Sequence, residues 1–202
     1  MVRKIGVLGG TFDPVHRGHI LMAGEARARL GLEEVIMVPA GQPMLKPPHA
    51  ITPAEHRLEM LRLAAAGKPY IKISTAEIER PGPSYTVETV AGLRARYAKD
   101  DEIYFILGWD SLAQLPQWRE PGRLVGMCRL VAVPRPGYAR PEIDALEAGV
   151  PGIAGKIVWL EKPQVAVSAT DIREKLKKGG PIGRLVPGPV ARYIREHRLY
   201  TE

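Results

Sequence analysis

Residues 9–19 have the sequence GGTFDPVHRGH, and this segment, a turn between a predicted strand and a predicted helix, indicates more about function than the rest of the chain together. The short apolar run at residues 5–8 precedes it and predicts a buried strand. A stretch rich in Ala, Leu, Arg and Glu follows it and predicts a helix over residues 17–30. Glycines release the backbone between the two, and the N–H groups at a helix start beside such a turn bind phosphate well. His16 and His19 lie on one face of that start, so the segment predicts chemistry on nucleotide phosphates.

The rest of the chain alternates between strand and helix patterns. Strands are predicted at 3–8, 34–38, 70–74, 103–107, 129–133 and 156–160, and helices at 17–30, 53–66, 85–98, 139–148, 169–178 and 189–196. Such alternation implies right-handed crossovers between parallel strands. Runs such as 35–38 and 103–107 are apolar without a break, which is typical of strands covered on both faces. We therefore predict an α/β fold: a single Rossmann-like domain over 1–202, with a doubly wound, mainly parallel sheet and helices on both faces.

Composition limits the classes of protein. With 45% hydrophobic and 25% charged residues, the 202-residue chain is long enough for one substantial core. The net charge of +7 raises nucleic acid as a partner, but only two phenylalanines occur, and no run interleaves aromatic residues with arginine. No apolar run approaches the roughly 18 residues that span a membrane, and no signal peptide is recognisable. The single Cys128 lies in an apolar run, which predicts a buried thiol. We expect a cytoplasmic protein that binds neither nucleic acid nor membranes.

Three segments follow predicted strands and should gather at one edge of the sheet. They are residues 9–19, 39–49 and 108–110. Ligands of open α/β sheets bind outside the carboxyl ends of the strands. The binding site is therefore expected at this edge.

Another group of polar residues lies at the start of the helix predicted over 169–178. Ser168 and Asp171 have the spacing of a capping box, in which both side chains bond to free N–H groups of the helix start. Capping does not explain Thr170. It does not explain Arg173 either, because an arginine near the positive end of a helix gains nothing from the dipole. These two residues indicate a ligand at this helix start.

The chain carries two motifs of a known superfamily. His-Arg-Gly-His at 16–19 resembles the HxGH signature of nucleotidyltransferases, and the longer form at 9–19 resembles the family of bacterial nicotinate mononucleotide adenylyltransferases. Residues 168–173 match the superfamily's Ser-x-Thr-x-x-Arg motif, although many members have serine where Ala169 stands. The resemblance covers nearly the whole chain, with 139–156 the least informative stretch. It implies that ATP transfers its adenylyl group to nicotinate mononucleotide in NAD biosynthesis, giving nicotinate adenine dinucleotide and pyrophosphate.

The resemblance also implies roles for individual residues. The residues it places in catalysis are His16, His19, Lys46 and Arg173. Those it places around ATP are Gly9, Gly10, Thr11, Phe12, His16, Gly18, His19, Gly108, Asp110, Ser168, Thr170 and Arg173. Those it places around the mononucleotide are Asp13, Lys46, Tyr85, Thr86 and Trp118, with Thr86 holding the nicotinate group and Trp118 lying against the pyridine ring. It assigns no metal site to the protein; Mg²⁺ is expected to arrive with ATP.

Several of these roles leave alternatives open. The loop around Lys46 departs from the family pattern, so His49 is a second candidate for the basic residue near phosphate. Thr86 could only cap a helix, and Trp118 could only fill the core. Asp110 suits either a ribose hydroxyl or magnesium.

The function also has alternatives. Nicotinamide mononucleotide differs from the nicotinate form only by an amide in place of a carboxylate. Phosphopantetheine adenylyltransferase shares both ATP motifs, but it lacks the Ser-Tyr-Thr and Leu-x-x-Trp segments that this chain has at 84–86 and 115–118. A nucleotide- or RNA-binding regulator on the same fold is disfavoured, because binding alone does not require His16, His19 and Arg173. The sequence leaves a homo-oligomer open.

Overall fold

The computed structural model describes residues 2–43, 51–164 and 166–201. Its centre is a six-stranded sheet in the order β3-β2-β1-β4-β5-β6, in which every neighbouring pair is parallel. The strands are β1 (Lys4–Gly10), β2 (Glu34–Pro39), β3 (Ile71–Ile73), β4 (Glu102–Gly108), β5 (Arg129–Val133) and β6 (Ile157–Trp159). The predicted parallel α/β sheet is confirmed.

Nine α-helices connect and cover the strands in the described part of the chain. They are α1 (Arg17–Leu30), α2 (Ala54–Ala65), α3 (Ala76–Glu79), α4 (Thr86–Arg94), α5 (Trp109–Gln114), α6 (Pro121–Met127), α7 (Ile143–Gly149), α8 (Ala169–Lys177) and α9 (Gly188–Glu196). The predicted helix over 85–98 was too long, since α4 ends at Arg94. The predicted start at 139 was also wrong: α7 begins after Pro141, because the residue before a proline disfavours helical geometry. Helices α3, α5 and α6 were not predicted, because none is long enough to display a helical period.

Except in the short edge strand β3, alternate residues of the strands enter two hydrophobic cores, one on each face of the sheet. Leu8 and Met37 join the core that packs under α1, α2 and α9. Val7 and Ile36 join the opposite core, which packs under α4 and α6. A sheet covered on both faces is doubly wound, as predicted. Cys128 is buried in the second core, where burial raises the pKa of its thiol to about 12.

The described helices include none that is long and apolar enough to cross a membrane.

The strand order creates a crevice at the carboxyl end of the sheet. Strands β1 and β4 are neighbours, with Leu8 opposite Ile106, and the chain leaves them towards opposite ends of the strand order. Reversal of the strand order opens a crevice beyond the two strand ends, and ligands of doubly wound sheets bind there. The turn at residues 11–16 and the segment after Gly108 both begin at this crevice.

Gly41 is a position where the fold requires glycine. A Cβ atom there would overlap the backbone carbonyl oxygen of Glu77, and the N–H group of Gly41 donates to Ser84 Oγ at 3.0 Å. We expect Gly41→Ala to lower the free energy of unfolding by about 1–3 kcal/mol, the usual effect of overpacking, as measured by urea denaturation. Gly92→Ala is the control, because Gly92 lies inside α4 with no atom within 4 Å of an added Cβ. Because alanine has a higher helix propensity than glycine, this variant should have a free energy of unfolding about 0.5–1 kcal/mol above that of the wild type. Equal stability of the two variants would contradict the assignment.

Candidate active site

A cavity of about 460 Å³ lies at the carboxyl end of β1 and β4. Its lining includes most of the predicted site residues: Gly9, Thr11, Phe12, Asp13, His16, Gly18, His19, Gly108, Asp110, Trp118, Ser168 and Thr170. Among the described residues, the other predicted members do not line it: Gly10, Tyr85, Thr86 and Arg173. Lys46, and its alternative His49, lie outside the described residues. The two motifs, about 150 residues apart in sequence, therefore meet at one cavity.

The turn after β1 is held by a buried guanidinium. Arg57 of α2 is 2% exposed, and its Nη1 donates to the carbonyl oxygens of Thr11 at 2.9 Å and Ala40 at 2.7 Å. Its Nε donates to the carbonyl of Thr52 at 2.8 Å. Three carbonyl groups therefore solvate the cation. The sequence analysis missed Arg57 because a single arginine in an amphipathic helix carries no signal of burial.

Phe12 shapes the cavity side of this turn. Its backbone has the positive φ of 50°, which non-glycine residues seldom adopt, and its side chain is only 1% exposed. The ring meets the edge of His19 with centroids 4.9 Å apart. A Cβ at Gly10 would stand 3.4 Å from the Phe12 ring, which is ordinary van der Waals contact, so the Phe12 ring packs directly against this position.

The two histidines form a stacked pair at the start of α1. Their ring centroids are 3.7 Å apart, and the backbone N–H of His16 donates to Nδ1 of His19 at 3.2 Å. Since Nδ1 accepts that hydrogen bond, a neutral His19 carries its proton on Nε2. His19 therefore has a fixed tautomer and keeps Nε2–H as a donor.

The histidine pair is uncharged at neutral pH. Burial and, secondly, the nearby Arg135 lower the pKa of His16 to about 4. Burial, His16 and Arg135, in that order, hold the pKa of His19 well below its ordinary value. Both rings accordingly offer oriented N–H and N groups, whereas the positive charge near the cavity comes from arginine.

Arg135 is a cavity residue that the sequence analysis missed. It pairs through Nη1 with Oδ2 of Asp110, and both residues line the cavity. A Cβ at Gly108 would overlap Oδ1 of Asp110, so glycine is required for this aspartate to lie where it does. Oδ1 is buried and has no hydrogen-bond partner within the described chain. Arg135 was predictable in principle: it follows β5, whose carboxyl end was expected at the same edge.

The start of α8 also lines the cavity. Ser168 Oγ accepts a hydrogen bond from the backbone N–H of Asp171 at 3.1 Å, so the Ser168 half of the predicted capping box is present; the described residues show no bond from the Ser168 N–H to the Asp171 side chain. Arg173 reaches back with Nη1 to the carbonyl oxygen of Asp13 at 2.7 Å and with Nη2 to Thr170 Oγ1 at 3.4 Å. Arg173 therefore ties α8 to the turn after β1.

The residues expected around the mononucleotide divide into two groups. Trp118 lines the cavity, edge-on to Phe105 with centroids 6.1 Å apart, and its backbone N–H donates to Leu115 at 3.0 Å. Its ring, not its main chain, is thus available to a ligand. Tyr85 instead lies under the Arg119 guanidinium, 4.4 Å from the ring centroid.

The segment that contains Tyr85 and Thr86 is bound to the loop after β2. Ser84 Oγ accepts from the N–H groups of Gly41 at 3.0 Å and Gln42 at 3.3 Å, and the Ser84 N–H donates to Gln42 at 2.9 Å. Thr86 is the first residue of α4, and the first N–H groups of a helix have no partner within it. These donors follow Ser84, which binds Gly41 and Gln42.

Fold and site together define the class of this protein: it is a nucleotidyltransferase. The cytidylyltransferase-like family model matches residues 7–175. A relative from Dehalococcoides mccartyi, named "Probable nicotinate-nucleotide adenylyltransferase", is 47% identical over 98% of this chain and 97% of its own length. A relative of the same name from Roseiflexus is 43% identical over 97% of each chain. The chain belongs to the nicotinate-nucleotide adenylyltransferase family.

A solved structure has the same fold. Plasmodium falciparum nicotinic acid mononucleotide adenylyltransferase, complexed with NaAD, superposes with a TM-score of 0.78 over 98% of this chain and 97% of that one. Sequence identity is 20%, so the likeness concerns the fold.

The low pKa of His16 predicts a loss of stability in acid. Unfolding returns this imidazole to its ordinary pKa near 6.5. At a pH between the two pKa values, the unfolded chain therefore binds a proton at His16 that the folded chain does not bind. Stability from this group is complete above about pH 6.5 and falls as the pH drops towards 4, by at most about 1.4 kcal/mol per pH unit. Urea denaturation at pH 7, 6 and 5 should therefore give a steeper loss for the wild type than for His16→Asn. Parallel pH profiles would show that His16 is protonated freely in the folded protein.

Proposed function

We propose that this chain transfers the adenylyl group of ATP to nicotinate mononucleotide, releasing pyrophosphate and forming nicotinate adenine dinucleotide. The observation that carries the proposal is the neutral histidine pair at the start of α1, in a cavity that Ser168 and Thr170 of the second motif also line. The cavity also contains Trp118, which supplies an aromatic surface for a pyridine ring. The whole of residues 1–202 is proposed to form one nucleotidyltransferase domain.

The reaction needs alignment more than proton transfer. The phosphate of the mononucleotide attacks the α-phosphorus of ATP, the bond to the bridging oxygen breaks, and pyrophosphate leaves with the electron pair. The second pKa of a phosphate monoester is about 6, so the nucleophile is already ionised at neutral pH and requires no general base. Catalysis then rests on holding two polyanions in line and stabilising charge on the transferred phosphoryl group.

The site residues suit this task in different ways. Nε2–H of His19 is a preorganised neutral donor to a phosphate oxygen, because its partner Nδ1 is already occupied by the N–H of His16. The start of α8 offers N–H groups and the positive end of its dipole beside Thr170. Arg135 would exchange Asp110 for phosphate, and Lys46 is proposed as a further cation. These groups act in a site where burial strengthens their electrostatic effect.

Magnesium is proposed to accompany ATP. Within the described residues, no group of three or more His, Cys, Asp and Glu side chains could hold a metal ion. Asp110 Oδ1, buried and without a partner in the described chain, fits a single contact with the ion or its water. Mg²⁺ commonly binds through one or two carboxylates plus substrate phosphates and keeps several waters. When bound, it neutralises phosphate charge.

ATP and nicotinate mononucleotide are thus the proposed partners. The expectation that the protein binds neither nucleic acid nor membranes and the cytoplasmic location stay predictions from the sequence, which leaves a homo-oligomer open. Pyrophosphate release from ATP with nicotinate mononucleotide, nicotinamide mononucleotide and phosphopantetheine tests the function directly. Activity only with phosphopantetheine would overturn the proposal.

The tautomer of His19 gives a prediction that separates its two nitrogens. The amide of asparagine occupies the place of Nδ1 and can still accept from His16, but it leaves the position of Nε2 empty. The amide of glutamine reaches the position of Nε2 and can donate there. We expect His19→Asn to lower kcat by about 10²–10³, the usual effect of losing one preorganised donor, and His19→Gln to lower it less.

The control for this pair is circular dichroism, which should match the wild type for both variants. Activity of His19→Asn within about threefold of the wild type would show that His19 does not stabilise the transition state.

Acceptor selectivity is the second prediction. Within the described chain, the backbone N–H groups of Thr86 and Val87 at the start of α4 have no hydrogen-bond partner. They suit a carboxylate, whereas an amide would present an N–H group to one of them. A buried donor without an acceptor costs about 1–3 kcal/mol, so kcat/KM for nicotinamide mononucleotide should be about ten- to a hundredfold lower. Both acceptors are compared at limiting concentration. Equal kcat/KM values would overturn the nicotinate assignment and leave adenylyl transfer standing.

A further inference from the structure

The carboxylate of Asp13 is bonded to the protein itself. Its side chain is only 2% exposed, its Oδ1 accepts a hydrogen bond from the hydroxyl of Tyr200 at 2.6 Å, and its Oδ2 accepts from the N–H of Thr52 at 3.4 Å. A buried carboxylate is stable only when such donors replace water. The short bond from Tyr200 is of the charge-assisted kind, and it joins residues 187 positions apart in the chain.

The backbone around Tyr200 has an unusual conformation. After α9, Arg198 and Tyr200 both have positive φ values, 49° and 65°, although neither is glycine. Each such residue is unfavourable by about 1–2 kcal/mol and persists where surrounding contacts determine it. Leu199, between them, donates its N–H to the carbonyl of Ile194 at 3.0 Å. Burial and the neighbouring Asp13 raise the pKa of the Tyr200 phenol, so it remains a donor across the physiological range.

Asp13 belongs to the same strained turn that begins α1. Phe12 has positive φ, and its ring packs against His19. Separate groups hold consecutive residues of the turn: Arg57 binds the carbonyl of Thr11, and Arg173 binds the carbonyl of Asp13. These two arginines bind the backbone of the turn, whereas Tyr200 binds a side chain of the turn, the carboxylate of Asp13.

We propose that Tyr200 is a positioning residue for the ATP site: through the Asp13 carboxylate, its hydroxyl holds the turn that orients His16 and His19. This assigns the Asp13 carboxylate to the support of the turn instead of direct contact with the mononucleotide. The inference rests on the proposed function, in that ATP is the ligand of the turn.

The test is Tyr200→Phe, which deletes one hydroxyl group. The dissociation constant for ATP, measured by calorimetry without acceptor, should rise about tenfold, at the low end of the contribution of a hydrogen bond to a charged group. KM for nicotinate mononucleotide should stay within twofold of the wild-type value, because the turn does not bear on Trp118. An ATP dissociation constant within twofold of the wild type, or equal weakening of both substrates, would overturn the proposal.

Tyr193→Phe is the matched control. The Tyr193 hydroxyl lies 2.9 Å from Nδ1 of His56, where α9 packs on α2, and neither residue lines the cavity. Loss of this hydroxyl should change stability without changing the dissociation constant for ATP. A tenfold weakening in this variant as well would mean that any loosening of α9 impairs the site, and the specific role of Tyr200 would be lost.

A double-mutant cycle distinguishes support from direct contact. If Tyr200 acts through Asp13, Asp13→Ala combined with Tyr200→Phe should bind ATP within about twofold of Asp13→Ala alone, because coupled residues are not additive. Effects that multiply to about a hundredfold would show that the two residues act independently and would overturn the proposal. Pyrophosphate release by the wild type is measured in parallel. Its absence would reject the proposed function, while the ATP dissociation constants would still decide the role of Tyr200.

Discussion

A buried guanidinium connects the two strands on which the site is built. Arg57 binds the carbonyls that follow β1 and β2, at Thr11 and Ala40, and keeps both strand ends at a fixed separation. Desolvation lowers the pKa of this arginine, while the charge of Asp13 opposes that effect. A cation in the interior is tolerated only when carbonyl dipoles and an opposite charge replace water. The turn that leads into α1 and the histidine pair is therefore held by a buried cation that binds three backbone carbonyls.

In this site, the histidines provide oriented hydrogen-bonding groups, and an arginine provides the positive charge. The histidines are neutral and held by each other, by Phe12 and by the first turn of α1, so they present N–H groups of defined direction. Arg135 provides positive charge from the loop after β5, where Asp110 partly neutralises it. In the proposed reaction, phosphate would replace that aspartate as the partner of Arg135. This arrangement suits a reaction in which charge moves between phosphate oxygens and no proton has to be removed from the nucleophile.

Prediction from the sequence succeeded where the signal was local. All six strands were placed within about two residues, because their centres are short apolar runs, or in β3 an alternation of Ile71 and Ile73 with Lys72, between polar turns. Short helices such as α5 and α6 were missed, since one or two turns display no periodicity. The cap at Ser168 was predicted by its spacing to Asp171, and the hydrogen bond is present. The roles of Arg57 and Tyr200 were not predictable, because their partners are distant in sequence.

The sequence by itself determined the doubly wound sheet, the motif that begins α1 and the position of the site at the carboxyl ends of the strands. These follow from apolar runs, glycine positions and residue spacing, which act over a few residues. Only the tertiary structure decided the charge and the contacts of the site residues. Burial beside Arg135 makes His16 neutral, and Arg173 binds a backbone carbonyl at Asp13. Burial and pairing depend on which distant segments meet, and a linear pattern does not contain that information.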